Sequence, residues 1–232
     1  MLDAINSGLQ WSNHWTGRLA FLLISTGCGI YFYRRIFSGG QSFRRVMYDF
    51  LYSKAIRRFT FARLLPTGWT TLTDQTSYDE NEFDDSPVGT QYGRVSKAHD
   101  SMPSDNFGLY YEFEQTPPKA ARFIEFIGRP APATRISTTV DYKVAGDPSI
   151  QQATLTMGVD DRSEAVGSQG QWSVPNLKKN LGSGWVSYLC DVPGWFKATL
   201  GNDGNQLVGI KSITVHRGDT WIKEIVIRGL GR

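Results

Sequence analysis

The chain has 232 residues, of which 40% are apolar and 20% charged, with 24 Gly, 10 Pro and 7 Trp. This apolar fraction is too high for a wholly disordered chain, and the length suits one domain of ~150 residues plus an appendage. The two cysteines, Cys28 and Cys190, exclude a disulfide scaffold and a four-cysteine zinc or iron–sulfur site. The histidines at 14, 99 and 216 are scattered, which leaves little material for a histidine-rich metal centre.

The formal net charge of +3 hides an asymmetry between the two ends of the chain. Residues 1–66 hold nine Lys/Arg against two acidic residues, which is +7, whereas the remainder holds 16 basic and 20 acidic residues, which is −4. The basic N-terminal segment and the mildly acidic remainder of the chain indicate two regions that lie in different environments.

Residues 19–33 contain no charged side chain and are bounded by Arg18 on one side and by Arg34 and Arg35 on the other. As a helix this run is roughly 22 Å long, short of the ~30 Å hydrocarbon layer, but flanking tryptophans and the stems of the arginines extend it. We therefore predict a single transmembrane anchor within residues 1–37; a cleaved signal peptide and a buried helix of a soluble protein are the alternatives. The predicted membrane-facing side chains are Leu19, Phe21, Leu22, Leu23, Ile24, Ile30, Tyr31 and Phe32.

The distribution of basic residues predicts the orientation of this anchor. Only Arg18 precedes the apolar run, whereas eight basic residues follow it between positions 34 and 63. The positive-inside rule then places the C-terminal body on the matrix side of a mitochondrial inner membrane or, as the alternative, on the cytoplasmic side of a bacterial inner membrane.

Residues 38–66 predict a basic amphipathic helix on the membrane surface, because apolar residues recur at helical spacing from Phe43 to Leu51 with arginines between them. A helix packed on the body is the alternative. Nucleic-acid binding is disfavoured, because lipid or protein would occupy a basic run next to the membrane. The predicted contacts with lipid headgroups are Arg34, Arg35, Arg44, Arg45, Arg57 and Arg58.

After Pro66 the apolar pattern changes to period 2, which predicts an antiparallel β-sandwich over residues 67–232. Clusters of Gly, Pro and Asp separate the predicted strands, and no segment of helix length intervenes. Two stacked sheets with one apolar face each would bury a single core. The predicted strands are Leu109–Glu114, Ala121–Ile127, Ser137–Val144, Gln152–Val159, Trp185–Cys190, Leu207–Val215 and Trp221–Ile227.

The sequence carries no recognisable enzyme signature. It has no phosphate-binding glycine loop, nucleophile elbow or paired histidines at metal spacing, so we predict a protein without catalytic residues, metal or cofactor. We interpret His216 as a solvated turn residue rather than a general base. The acidic run from Asp79 to Asp85 predicts a solvated or partner-facing loop, with a calcium site as the less favoured reading.

The tryptophans are the remaining candidates for ligand recognition. Trp185 fits a core position of its strand, whereas Trp172, Trp195 and Phe196 lie in loop-like surroundings. We predict that these three contact a protein partner or the bilayer; ordinary core filling and an aromatic platform for a glycan are the alternatives.

The second half of the body resembles the galactose-binding-like jelly rolls, which include carbohydrate-binding modules and the family of the complex I intermediate-associated protein. The resemblance rests on residues 140–148 (VDYKVAGDP) and 153–161 (ATLTMGVDD) as middle strands, 184–188 (GWVSY) as the Gly-Trp strand, and 210–227 as the closing hairpin. It implies a jelly-roll sandwich. Together with the anchor, it predicts a non-catalytic accessory or assembly subunit of a membrane complex, such as one of the respiratory chain. Its partners would be lipids and other membrane subunits. A membrane-tethered carbohydrate-binding module is the alternative.

Overall fold

The computed structural model describes residues 15–33, 43–62, 64–82, 87–89, 91–98, 107–114, 121–131, 134–158, 164–167, 170–173, 177–200, 204–216 and 219–229. Within these ranges the chain forms three helices, α1 (Trp15–Tyr33), α2 (Phe43–Leu51) and α3 (Val192–Thr199). The first seven strands are β1 (Lys54–Thr60), β2 (Trp69–Thr71), β3 (Thr76–Glu82), β4 (Gln91–Lys97), β5 (Gly108–Glu112), β6 (Ala121–Pro130) and β7 (Arg135–Lys143). The other seven are β8 (Ile150–Gly158), β9 (Glu164–Gly167), β10 (Gly170–Ser173), β11 (Lys178–Gly182), β12 (Trp185–Asp191), β13 (Gln206–His216) and β14 (Thr220–Gly229).

The strands form two seven-stranded sheets whose pairings are all antiparallel. Sheet A has the order β11-β12-β6-β14-β4-β3, with β1 also paired to β14, and sheet B has the order β10-β9-β8-β7-β13-β5-β2. Their inner faces bury one core, to which Ile124 and Ile225 contribute from sheet A and Ile136 and Ile213 from sheet B. The predicted antiparallel sandwich is confirmed.

Each of the seven predicted strands is present, and no end is displaced by more than three residues. A tight hairpin joins β11 to β12 through Ser183 and Gly184, both of which have positive φ. Two consecutive residues of positive φ give a turn whose twist matches that of the strands, which explains the glycine at this position.

The sandwich begins earlier than predicted, because residues 54–60 form a strand and not the continuation of a helix. Strand β1 pairs with β14 from Lys54 opposite Gly229 to Thr60 opposite Glu224. Phe59 is buried in the main core. The helical spacing therefore ends with α2. The strand period of two, which places Phe59 and Phe61 on the same side, begins at position 54, thirteen residues before the predicted start of the sandwich at position 67.

Helix α1 covers the predicted anchor but does not meet the requirements for one. Among the described residues, no helix is long and apolar enough to cross a membrane, so the predicted transmembrane helix is not supported. The helix begins before Arg18 and contains the polar and small residues of positions 25–29, which dilute its apolar character. Its described side chains, including Leu22, Leu23 and Ile24, are exposed. Phe21 and Phe32 belong to the helix, but their side chains, like Arg34 and Arg35, lie outside the described part of the chain.

Candidate functional site

The outer face of sheet A is covered at one end by helix α2, which is fixed there by Arg45. This side chain is only 1% exposed. Its guanidinium donates to the Leu177 carbonyl at 2.5 Å, to the carbonyl and hydroxyl of Ser187 at 2.9 and 2.7 Å, and to Glu125 at 2.8 Å. A residue held in this way cannot reach a lipid headgroup, so the prediction that Arg45 binds lipid is wrong.

The charge of Arg45 is balanced within a network of two arginines and two carboxylates, in which Arg45 and Glu125 are buried and Asp49 and Arg228 are partly buried. Arg45 also pairs with Asp49 one helical turn away, and Arg228 of β14 contacts both Asp49 and Glu125. Beside this network, Tyr48 and Tyr52 pack on Phe123, with ring centroids 4.9 and 4.8 Å from it. Buried charges are stable only when paired and hydrogen-bonded, and here every charged group has a partner of opposite sign.

The other arginines predicted to meet lipid occupy different environments. Arg44 is exposed on α2. Arg57 lies with its guanidinium 5.1 Å from the centre of the Tyr111 ring, and Arg58 forms an ion pair of 3.0 Å with Glu224. Both belong to the edge strand β1 rather than to an interfacial helix.

Two of the three aromatic residues predicted to contact a partner lie in the protein core. Trp195 and Phe196 are 5% and 4% exposed, because residues 192–199 form helix α3 and turn both rings inwards. Pro193 occupies the first turn of the helix and Asp191 caps it by accepting from the Gly194 amide, so the loop-like sequence is a helix start. The prediction of a ligand contact is therefore wrong for these two residues. Trp172 lies in β10, and its side chain is outside the described part.

The remaining aromatic residues on the outer face of sheet A are also engaged. Trp185 and Tyr92 are buried against each other, with ring centroids 4.7 Å apart. Trp221 is contacted by the guanidinium groups of Arg94 and Arg129, each 5.4 Å from the ring centroid. None of these three aromatic side chains of sheet A, within the part of the chain that the structure describes, presents an unoccupied ring face for a sugar to stack on.

The outer face of sheet B is different, because hydroxyl side chains cross it in two rows. The antiparallel register aligns these residues from strand to strand, and alternate residues of a strand share a face. We call this surface the hydroxyl face. Its first row is Thr70, Tyr110, Thr214, Ser137 and Thr156, and its second row is Ser212, Thr139 and Thr154, with the carboxylate Glu112 of β5 at the end of this row.

The hydroxyl face is held in place by hydrogen bonds across the strands. Ser137 bonds to Thr156 at 2.9 Å, and Thr139 bonds to Thr154 at 3.2 Å. The adjacent Gln152 donates to Asp141 at 3.1 Å. Hydroxyl groups in fixed positions, each with a further lone pair, offer donors and acceptors at the spacing of the strands, about 4.8 Å.

The centre of this face is little exposed and uncharged, and charged side chains lie at its borders. Ser137 and Ser212 are only 8% and 4% exposed. At the end formed by β5, the Tyr110 hydroxyl donates to Glu112 at 2.9 Å, and Lys211 contacts the same carboxylate at 3.6 Å. Burial, followed by the hydrogen bond to Glu112, raises the pKa of Tyr110 above its ordinary value. At neutral pH, far below even the ordinary pKa of a tyrosine, the phenol is protonated and can act as a donor.

His216 is the last residue of β13 and lies 2.7 Å from the Ser137 hydroxyl. It is half-buried and bonded to a strand residue rather than solvated in a turn, which corrects our interpretation. The pair is not arranged for nucleophilic catalysis. Ser137 lies in the middle of β7, which pairs with β8 on one side and β13 on the other, so the neighbouring amides are used in the sheet and form no oxyanion hole.

Within the described residues, no group of three or more His, Cys, Asp or Glu side chains could hold a metal ion. Part of the acidic run predicted as a loop, from Asp79 to Glu82, belongs to strand β3, whereas Asp84 and Asp85 lie outside the described residues.

The hydroxyl face was not predicted, although the sequence carries a signal for part of it. In β7 and β8, Ser and Thr alternate with Ile, Val and Leu, which marks one polar and one buried side of a sheet. The alignment with β5 and β13 depends on the register between strands that are distant in sequence, and the sequence does not give that register.

No family model and no curated protein sequence matches the chain. Several solved structures are similar in fold. The CBM22-1 and GH10 modules of Clostridium thermocellum xylanase 10B, complexed with xylohexaose, are 15% identical over 77% of this chain and 29% of that chain, with a TM-score of 0.39. A family 11 carbohydrate-binding module from Clostridium thermocellum is 11% identical over 77% of this chain and 100% of that chain, with a TM-score of 0.39.

A carbohydrate-binding module of family 29 is 12% identical over 74% of this chain and 92% of that chain, with a TM-score of 0.36. The chain matches less than a third of the length of the xylanase modules. Each of these solved structures is, or contains, a carbohydrate-binding module. At these identities and TM-scores they carry no argument about what this chain binds.

Proposed function

We propose that the protein is a non-catalytic binding module that holds an extended, uncharged oligosaccharide on the hydroxyl face. The observation that supports this proposal is the pair of hydroxyl rows, which cross β5, β13, β7 and β8 at a little-exposed and uncharged centre. A solvated protein surface commonly carries about 25–35% charged residues of both signs, and the centre of this face departs from that composition.

The chemistry of the face fits a polyhydroxylated chain. Each sugar hydroxyl is both a donor and an acceptor, as are the Ser and Thr hydroxyls that line the two rows. Tyr110 adds a half-exposed aromatic ring, and Glu112 and Asp141 add acceptors at the borders of the face. Such a surface would bind weakly per contact, with each net hydrogen bond contributing about 0.5–1.5 kcal/mol, so an extended ligand that spans several strands is required.

Titration calorimetry of the full chain with soluble neutral oligo- and polysaccharides, among them xylohexaose and mixed-linkage β-glucan, tests the proposal. Thr139→Val removes one hydroxyl at nearly constant volume and is expected to weaken binding about fivefold. Tyr110→Ala removes the ring and is expected to weaken it about tenfold.

The matched control is Thr60→Val, the same change at an exposed position of β1 in sheet A, and it should leave binding unchanged. An absence of binding to every neutral polysaccharide, or equal losses in Thr139→Val and Thr60→Val, would refute the proposal.

The function of a membrane-associated accessory subunit remains a second proposal, favoured by one observation. Leu22, Leu23 and Ile24 of helix α1 are more than 60% exposed, and large exposed apolar residues in a row mark a surface that a partner covers. Membrane lipids, other membrane subunits, and an inner-membrane location with the body on the matrix or cytoplasmic side belong to this proposal. Extraction in mild detergent followed by native electrophoresis tests it: co-migration with a large complex supports it, and migration as a free 26.0 kDa chain contradicts it.

A further inference from the structure

One border of sheet A has the shape of a step. Strand β6 occupies one edge of β14 over its full length, so β4 and β1 share the other edge. Strand β4 pairs with Thr220–Ile222 and β1 with Glu224–Gly229. Strand β3 then pairs with β4 along its whole length. The border therefore extends one strand, about 4.8 Å, further beside β4 than beside β1.

The two strands on this border have opposite charge. Strand β1, with the sequence KAIRRFT, carries Lys54, Arg57 and Arg58, and strand β3, with the sequence TSYDENE, carries Asp79, Glu80 and Glu82. Both are seven residues long. Within the described part of the chain, each has one edge without a paired strand. Such edges are templates for pairing with a further strand, and charges on them decide which strand is accepted.

We propose that this stepped border is the interface of a homodimer, in which β3 of one copy pairs with β1 of the other and the reverse. A two-fold axis perpendicular to the sheet brings the protruding β3 of each copy into the recess beside the partner's β1. Within one copy, β3 runs parallel to β14 and β1 runs antiparallel to β14. The two-fold axis reverses the direction of every strand in the partner, so β1 and the partner's β3 run parallel to each other. Two identical pairings close the assembly and leave neither edge open.

Charge selects this arrangement over the other ways of joining the border. Pairing β1 with a second β1 would oppose three cations with three cations, and pairing β3 with a second β3 would do the same with anions, which destabilises cross-strand contacts. Only the crossed pairing puts basic residues beside acidic ones, twice in each dimer. Residues 87–89 lie close to β11 and β14, with Pro87 near Gly182 and Gly89 near the Lys223 side chain.

The test is sedimentation equilibrium of the full chain in a nonionic detergent, which covers the exposed helix α1. The expected protein mass is twice 26.0 kDa at low salt, and it should fall towards 26.0 kDa at high salt, because salt screens exposed ion pairs. Lys54→Glu with Arg58→Glu reverses the charge of β1, and Glu80→Lys with Glu82→Lys reverses that of β3. Each double variant alone should be monomeric, whereas an equimolar mixture should form a heterodimer, since both interfaces again join opposite charges.

Controls separate this interface from loss of folding and from association through α1. Lys143→Glu with Lys197→Glu changes the net charge by the same amount at exposed residues of β7 and α3, and it should leave the dimer intact. Lys54→Glu alone, opposite Gly229, repeats the test without disturbing the ion pair of Arg58. A monomeric wild-type chain, an oligomer that resists both reversals, or a mixture that does not reassociate would overturn the proposal. Loss of oligosaccharide binding without loss of the dimer would affect only the proposed function.

Discussion

Replacing Arg45 by methionine is the sharpest test of how the N-terminal helix α2 is held on the sandwich. Arg45 is 1% exposed and donates to two carbonyls, one hydroxyl and the carboxylates of Glu125 and Asp49. Methionine fills most of the volume but satisfies none of these acceptors. Breaking a buried ion pair by removing one partner costs about 3–5 kcal/mol, so we expect the free energy of unfolding to fall by that amount.

For a domain of this size, the loss corresponds to a decrease in Tm of about 6–20 °C. Urea unfolding followed by tryptophan fluorescence measures the free energy, and thermal unfolding by circular dichroism gives the Tm. Arg44→Met is the matched control, because Arg44 precedes Arg45 on the same helix and is exposed; it should change stability by less than about 0.5 kcal/mol.

The double variant Arg45→Met with Glu125→Gln completes a cycle that isolates the contact between the two side chains. Because Glu125 loses its charge together with its partner, the double variant should be destabilised by clearly less than the sum of the two single changes. Additive losses would show that the 2.8 Å contact between Arg45 and Glu125 contributes nothing to stability. Equal stability of Arg45→Met and Arg44→Met would refute the buried network altogether.

Three further predictions follow from burial and hydrogen bonding. Burial raises the pKa of Cys190 far above its ordinary value, so a thiol reagent should label one cysteine, the exposed Cys28, in the native chain and both in denaturant; rapid labelling of both would contradict the fold. Trp195→Ala should destabilise the protein by about 3–5 kcal/mol while leaving the oligosaccharide affinity of the folded fraction unchanged; a selective loss of affinity would reinstate this residue as a ligand contact. Burial and Glu112 hold the pKa of Tyr110 above 10.0 in the folded protein. The protonated phenol therefore contributes to the stability of the fold below pH 10.0, and this contribution is lost as the pH rises through the pKa of Tyr110 in the folded state. The absorbance of the Tyr110 phenolate is the part of the tyrosinate signal that is missing in Tyr110→Phe. Its midpoint should lie at lower pH in Glu112→Gln than in the wild-type chain, and an unchanged midpoint would exclude the hydrogen bond.

The candidate site illustrates which signals a sequence carries. The alternation of apolar and polar residues in β7, β8, β13 and β14 was sufficient to predict the strands, since a buried face requires it. The same alternation identifies an outward row of Ser and Thr in each strand separately. It does not say that the row of β5 continues into β13 and β7. That continuity depends on the pairing of Thr214 with Tyr110 and with Ser137, which lie 104 and 77 residues away along the chain.

Local composition misled the predictions where tertiary packing decided the outcome. The sequence from Val192 to Trp195 resembles a loop, since it contains Pro193 and Gly194, but the cap from Asp191 and the burial of Trp195 make it a helix. Strand β3 carries too many carboxylates to suggest a strand, yet it pairs along the whole of β4. In both cases, contacts with other parts of the chain outweighed the weak preferences of individual residues.

By itself, the sequence determined the sandwich class and the positions of seven strands, because the requirement to bury one side of every strand is written locally in its residues. The tertiary structure decided what the basic N-terminal residues do. Arg45, Arg57 and Arg58 look alike in sequence, but one is buried against Glu125, one stacks on Tyr111 and one pairs with Glu224. The physical reason is that a charge is stabilised only by the partners that the fold places around it, and those partners come from strands that lie far away along the chain.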